Sequence, residues 1–562
     1  MEKSNKALYP MVVLPLKYYL DYFEFLLRFV QQQYGNLLTE AENQWLQNYA
    51  LLPEDARCAF VRMTNRRGCL FRYSKFSYVE IENMPVALQL LVQQGFAQWL
   101  AVAHEELYAD VLELFNKEEL LGLLTKTNCL EATSIKALKK EKIKEIHLFI
   151  QKNIPFAVFF ESISEKIIYQ NHEKLIAFFR FLFFGNQYQD MTEFVVRDIG
   201  VSRFEQFDST KFVPLFTQRA EAEEKWEVIE ALRLFYEMKG DEMSPLQLYD
   251  YFYAWLLKNT PKFQTSAVTH SRLVLKLGEW LEKNKLAEEA AEIYSFTTQS
   301  PAPEKRIRLL HKTGQTAKAL ALCEQLLANP QNADELLFAQ DFLAKQSTKK
   351  SIRTVTQHLK EAEQITISKD FKYKVELGTI DYFQQQGWNG IYVENYVWRC
   401  LFGLVFWDIV FDVNIHHPLQ RRPSDFYSPQ FFENRQAKFE QRLQSLANFE
   451  DLQQLLAQRY EEKWGIDNPL MQWHEAMLPL CYLVASLVPL QSLKQVWLEM
   501  AKNLQVGTKG FPDILIWQEK EKNYAFIEVK SMTDNLSAQQ LYWLRFFEQV
   551  GVQAKVLRVD FQ

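Results

Sequence analysis

Cysteine is scarce and unpaired in this sequence. The six thiols (Cys58, Cys69, Cys129, Cys323, Cys400 and Cys481) form no CxxC pair and no metal-finger spacing. That excludes a zinc-finger module and leaves reduced, structural thiols, as in a cytosolic protein. Long hydrophobic runs are also missing. The most apolar stretch, CLFGLVFWDIVF, already contains Asp408 and falls short of the roughly 18 apolar residues that a membrane helix needs. The opening MEKSNKALYP is polar and is not followed by an apolar core with a small-residue cleavage site, so no secretory signal is expected. Nor is there an excess of positive charge: 64 basic against 70 acidic side chains leave a net charge of -6. This argues against bulk binding to a polyanion, but a local basic groove remains possible because affinity follows local neutralisation.

What is present is apolar bulk. Apolar residues make up 48% of the 562 and aromatics 14%, enough for several cores in about three to five domains. YYLDYFEFLLRFVQQQY and LTEAENQWLQNY read as two helices, with Thr39 placed to cap the second and Glu42 three residues on. ARCAFVRMTNRRGCLFRYSKFSY has short apolar runs flanking a turn at 65–68, a pattern that predicts a β hairpin. Residues 105–150 are expected to be helical again. From about 215 to 370 amphipathic segments alternate with Gly, Pro or Asn breaks. Ala290, Ala317 and Ala321 stand at possible close-packing positions of helix pairs, a tetratricopeptide-like texture without a strict period; a plain helical bundle stays open beside it. The last part mixes helices with a closing strand, turn, strand, helix and strand.

The chemistry concentrates in that closing part, in GFPDILIWQEKEKNYAFIEVK, residues 510–530. ILIW and YAFIEV read as strands. With a period of two, Ala525, Ile527 and Val529 face one way, while Phe526, Glu528 and Lys530 face the other. Asp513 precedes the first strand and can lie beside Glu528 across the hairpin. Adjacent carboxylates repel unless a cation sits between them, and oxygen donors select Mg²⁺ or Mn²⁺. Lys530 would orient water or stabilise charge developing on a phosphate. The plain alternative is a surface Glu–Lys ion pair contributing about 0–1 kcal/mol.

This arrangement, Asp, about fifteen residues, then Glu-x-Lys, a helix and a strand, resembles the PD-(D/E)xK nuclease superfamily and, more narrowly, its virus-type replication-repair domain. YVENYVWRCLFGLVFWDIVF, YYLDYFEFLLRF and ARCAFVRMTNRRGCLFR resemble the Fanconi-associated nuclease family, in a bacterial-type form with a compact N-terminus. The resemblance implies a third metal-binding carboxylate, Glu394, and a shell completed by the carbonyl of Val529. It also implies active-site support from Gln540, although Ser537 and Gln540 equally fit a capping box. Asp408 is expected to have a buried hydrogen-bond partner and a structural role. His416 and His417 are expected to be loop residues, since no fuller ligand set surrounds them.

The fold expected is therefore multidomain and mostly α. It comprises an N-terminal helical and hairpin DNA-binding region (1–105), a SAP-like helical DNA-binding region (106–210), a TPR-like helical repeat (211–370) and a C-terminal α/β PD-(D/E)xK domain (371–562). Expected DNA contacts are Arg57, Arg62, Arg66, Arg67, Arg72 and Lys75 in the first region, a run of 21 residues with no acidic member, and Lys136, Lys139, Lys140, Lys142 and Lys144 in the second. A solvated basic face explains either cluster as well. Arg435, Arg442 and Lys509 are candidates for a 5'-phosphate pocket. The resemblance implies a metal-dependent nuclease acting on branched or flapped DNA, as a 5' flap endonuclease and 5'-to-3' exonuclease in interstrand crosslink repair. It would work as a monomer in the cytoplasm, at the nucleoid when on DNA, without membrane or organic cofactor. The alternatives are a Holliday-junction resolvase-like nuclease and a non-enzymatic helical scaffold with a degenerate nuclease domain.

Overall fold

Apolar side chains recur at helical spacing from the first described turns, and most of the chain follows them. The computed structural model describes residues 13–127, 135, 137–207, 210, 212–240, 243–348, 352–428 and 430–562; Lys136 lies outside the described residues. Two units form: Met1–Val201 with Pro214–Arg219, and Ser202–Val213 with Ala220–Gln562.

In the first unit, the helix Tyr18–Tyr34 buries Phe23, Leu26, Val30 and Tyr34 on one face. The helix Glu40–Ala50 starts at the Thr39–Glu42 capping box. The hairpin expected over 56–78 does not form. Glu54–Thr64 is a helix, and the turn after it leads into a three-residue strand, β1 (Leu70–Arg72). Its partner is distant: β1 and β2 (Gln98–Trp99) both pair antiparallel with β3 (Ile167–Tyr169), in the order β1-β3-β2. Ala59, Phe60, Val61 and Met63 are buried, so their run of apolar residues is one helix turning its face into a core, not a strand. The small sheet joins the two N-terminal regions that the sequence suggests as separate. A second core gathers Val111, Leu112, Leu120, Leu124, Ile146, Ile150 and Phe159.

The second unit opens with helices that pack in sequence order from Arg219–Gly240 to Ala333–Thr348. Ala290 is fully buried, but the buried small positions of the helix Thr316–Ala328 are Ala319 and Cys323; Ala317 and Ala321 are exposed. The closest approach is at Gly278, where a Cβ would lie 2.4 Å from the buried ring of Tyr294.

The C-terminal part holds a five-stranded mixed sheet in the order β4-β8-β7-β6-β5. Its strands are β4 (Glu363–Ile367), β5 (Asn389–Tyr392), β6 (Ile514–Gln518), β7 (Asn523–Ser531) and β8 (Ala554–Phe561). β8 runs parallel to β7 and β4; β6 runs antiparallel to β7 and β5. Both faces of the sheet are covered. Ile514, Ile516, Ile527, Val529, Leu557 and Val559 pack with Ile380 and Phe383 from the helix Val375–Gln384. Leu515 and Phe526 pack on the other side with Trp398, Trp543 and Phe547. Among the described residues no single helix is long and apolar enough to cross a membrane. One apolar pair, Met477–Leu487 and Leu490–Lys502, is bent by 117° and supplies Cys481, Val484, Val496 and Trp497 to the same large core.

Gly278→Ala tests the close helix contact. Alanine normally favours a helix interior by about 1 kcal/mol over glycine, but here the added methyl meets a fixed aromatic ring. A net loss of about 1–3 kcal/mol in urea unfolding of the variant is the expected result.

Candidate active site

Two strands and the loop before them set the geometry. Ile514 pairs with Ile527, so the next residues outward, Asp513 and Glu528, meet at the end of the β6–β7 ladder. Asp513 is fixed at both ends: its carbonyl accepts from Val393 N at 2.8 Å and Glu394 N at 2.9 Å, and its carboxylate accepts from Val529 N at 2.8 Å. The loop reaches this place through Gly510, at φ 81°, where a Cβ would stand 3.1 Å from the backbone nitrogen of Gln540. No other residue fits there without moving the helix start.

Glu528 is fully buried. One carboxylate oxygen accepts from Lys530 Nζ at 2.7 Å and from the side-chain amide of Gln540. The other, Oε2, is buried with no hydrogen-bond partner. Burial first, then Asp513, pushes the Glu528 carboxyl up to about 8. Asp513 is pushed up to about 6, by burial and by Glu376 and Glu394, against the pull of the Val529 amide and Lys530. Burial lowers Lys530, but Glu528 and Asp513 outweigh it and leave the ammonium above its ordinary value. The site thus holds more negative charge than one lysine balances.

Glu394 lies just ahead of the helix Tyr396–Val405 rather than within its first turn. Its backbone sits at φ 29°, on the left-handed side. Tyr392 and Asn395 bind its two oxygens. Gln540 closes the capping box of the helix Ala538–Gln549 with Ser537 and also bonds Glu528. The sequence reading missed three groups around these acids: Glu376, whose field raises Asp513, Tyr392 and Asn395. A carboxylate opening an amphipathic helix is ordinary, so Glu376 carries no signal by itself. Among the described residues, no three His, Cys, Asp or Glu side chains are gathered closely enough to hold a metal ion as they stand. The donor set nonetheless suits a hard divalent cation: its side-chain donors are carboxylates, mutually repelling, with one buried oxygen left unpartnered.

The other candidates separate clearly. Arg57 is paired with Glu24, Arg62 with Glu80, and Arg72 with Glu119 and Glu165; these three are committed inside the first unit. Arg66, Arg67, Lys75, Lys139, Lys140, Lys142 and Lys144 are exposed. Arg66 and Arg67 line a hollow of about 530 Å³ with Tyr18, Tyr22, Tyr78 and Arg180. Arg435 is not available to a phosphate. It is 1% exposed, paired with Asp425 at 2.7 Å, and donates to the carbonyls of Ile409, Phe431 and Val413. Arg442 is engaged by Val405 O and Asp408; Lys509 is exposed. The Asp408 carboxylate is at the surface, paired with Arg442 and Arg459, not with a buried partner. His416 and His417 are buried, and His416 is held between Val213 O and Ser424.

Residues 17–98 match the family model "FAN1, HTH domain" and residues 447–561 match "VRR-NUC domain"; Glu394 falls outside both. Over 541 residues the chain is 25% identical to the Fanconi-associated nuclease 1 homolog of Pseudomonas aeruginosa, covering 94% of this chain and 93% of that protein. It is 24% identical to the homolog of Arabidopsis thaliana, covering 96% of this chain and 66% of the plant protein. The Fanconi-associated nuclease 1 of Danio rerio is 32% identical over 195 residues, 33% of this chain and 20% of that protein. A crystal structure of paFAN1 bound to 2nt 5'flap DNA with gap superposes with a TM-score of 0.80 at 23% identity, over 98% of this chain and 99% of that one. At that identity the likeness is one of fold.

Above about pH 8, where Glu528 is ionised, Glu528→Gln removes a desolvated charge and its repulsion from Asp513 while keeping an acceptor for Lys530 and Gln540. Without metal, its thermal stability is expected to equal or exceed that of the parent. Glu528→Ala leaves a void and strands the lysine, and is expected to lose about 2–4 kcal/mol. Denaturant melts of the two variants check the contrast.

Proposed function

We propose that this chain, which belongs to the Fanconi-associated nuclease family, is a divalent-metal-dependent, structure-specific nuclease of branched DNA. It acts as a 5' flap endonuclease and 5'-to-3' exonuclease in interstrand crosslink repair. The relatives' names and the flap-bound neighbour support the substrate class. The observation that carries the chemistry is the buried Glu528, with an unpartnered oxygen, beside Asp513 and Lys530.

In this reading Glu394, Asp513, Glu528 and the carbonyl of Val529 would hold Mg²⁺ or Mn²⁺. When bound, the cation supplies Lewis acidity to a phosphate oxygen and lowers the pKa of a water. The rest is work for side chains. Asp513, fixed through one carboxylate oxygen by the Val529 amide, would offer the other to the cation. Gln540 fixes the rotation of Glu528. Lys530 neutralises Glu528 at rest and has further N–H donors for charge that develops on a phosphate. Apolar packing on both faces of the sheet keeps bulk water out and strengthens each of these interactions. Arg66, Arg67 and Lys75 on the first unit, with Lys139, Lys140, Lys142 and Lys144, are the proposed backbone contacts. One chain acts alone in the cytoplasm, at the nucleoid when on DNA, without an organic cofactor.

The decisive experiment cleaves end-labelled 5' flap, fork, nicked and linear DNAs with Mn²⁺, Mg²⁺ or chelator. Flap cleavage with metal, none with chelator, and a loss of at least about a thousand-fold in Asp513→Ala are expected; turnover by a clean Asp513→Ala preparation would remove the metal assignment. Arg66→Glu with Arg67→Glu is expected to weaken flap binding and to lower the slope of log K against log salt by about 1–2. An unchanged slope would place the DNA face elsewhere.

A further inference from the structure

Two side chains that belong to neither the expected metal set nor the DNA contacts close on Glu394 from opposite sides. The Tyr392 hydroxyl, at the end of β5, donates to Oε2. The Asn395 amide donates to Oε1 at 3.2 Å. Asn395 also reaches the other arm of the site: its side-chain oxygen accepts from Phe511 N at 3.0 Å, two residues before Asp513. The backbone repeats the link, since Val393 N and Glu394 N both bind the Asp513 carbonyl. Tyr392 stands in the field of Glu394, Asp513 and Glu376 together, so its hydroxyl lies at the rim of the acid cluster.

We infer that Tyr392 and Asn395 are positioning residues that restrict the rotation of the Glu394 carboxylate and so favour its recruitment to a cation, with Asn395 also tying it to the segment that carries Asp513. The inference rests on the metal-site reading above. A free glutamate rotates about three side-chain torsions, and the last is soft. Each oxygen of Glu394 is pinned by one N–H or O–H donor and keeps a further lone pair for a cation. The left-handed backbone at Glu394, uncommon for a residue with a Cβ, is accompanied by three hydrogen bonds of Glu394 itself: its N–H to the Asp513 carbonyl, and Tyr392 and Asn395 to its carboxylate. Residues that orient a metal ligand by hydrogen bonds typically change metal affinity by about ten- to a hundred-fold. Neither residue contacts the reacting atoms, so the effect should fall on metal binding and not on the chemical step.

The test measures Mn²⁺ binding to the full chain without DNA, from the electron paramagnetic resonance of free Mn²⁺, and then flap cleavage as a function of Mn²⁺. Tyr392→Phe removes only the exposed hydroxyl and leaves the fold intact. Asn395→Ala removes the tie to Phe511 as well. The expected results are a Mn²⁺ dissociation constant raised about ten-fold in each, a matching shift in the Mn²⁺ midpoint of cleavage, kcat at saturating Mn²⁺ within about three-fold of the parent, and unchanged KM for the flap. An unchanged or lowered Mn²⁺ dissociation constant in Tyr392→Phe overturns the inference. So does a fall in kcat that extra Mn²⁺ cannot rescue, which would mark a structural role. If the parent chain itself bound no Mn²⁺ and cut no flap, the metal-site reading would fall first; if the parent did both and the variants matched it, only this inference would fall.

Discussion

Glu528 is a carboxylate with no access to water, on a strand whose two faces are both packed. Burying such a charge is costly unless it is paired and hydrogen-bonded, and the surroundings answer that cost only in part. Lys530 and Gln540 share one oxygen; the other has no partner. Asp513 is held close by, which worsens the repulsion. A fold selected for stability alone would place an apolar residue at this point of β7. The arrangement is explained if the strain is relieved by something positive that the protein binds, as the proposed metal site would do.

The same site depends on a small aromatic knot. Phe511 stacks on Trp543 with centroids 4.4 Å apart and on Trp398 at 5.5 Å, and Phe547 lies against all three. Trp398 belongs to the helix that follows Glu394; Trp543 and Phe547 belong to the helix that begins beside Gln540. Phe511 therefore sets Asp513 against both helices at once. Burial of rings this large contributes several kcal/mol of packing, so the carboxylates, which repel, are brought together by groups that attract. The short segment 510–513 joins the two effects: glycine permits the approach, phenylalanine anchors it, proline stiffens it, and aspartate faces the site.

Much of this was legible in the sequence. Alternation along YAFIEVK put Glu528 and Lys530 on one face and Ala525, Ile527 and Val529 on the other, and a register of that length brings Asp513 alongside. The signals are local and strong, because a strand has a period of two and a short turn fixes its partner. What failed was non-local. Leu70–Arg72 is a strand, but its partner lies at 167–169, so the turn at 65–68 was read as a hairpin when it ends a helix. Arginine suits a phosphate, which makes Arg435 a candidate by sequence; nothing in its sequence neighbourhood shows that Asp425 and three carbonyls enclose it. Ala317 and Ala321 missed the packed face by two positions, since an Ala- and Leu-rich helix offers more than one plausible stripe. Tyr392 and Asn395 flank a candidate ligand without forming any motif, and only coordinates show both reaching its oxygens.

The arginines of the first unit show why charge counted along a sequence says little about the charge a surface presents. Arg57, Arg62 and Arg72 look in sequence like one basic run with Arg66 and Arg67. In the fold each reaches an acid from a different segment: Glu24, Glu80, and Glu119 with Glu165. Arg62 also lies 3.8 Å above the ring of Tyr19. Such partly buried pairs tie together segments distant in sequence, and their charge is cancelled at a range far shorter than the Debye length of about 8–10 Å. A phosphate backbone would meet chiefly the residues left exposed. Arg66 and Arg67 stand at a turn beside Tyr18, Tyr22 and Tyr78, where low-dielectric ring surfaces strengthen a guanidinium–phosphate contact relative to open solvent. Two cations so placed can matter more to a DNA strand than the surplus of six negative charges spread over the whole chain.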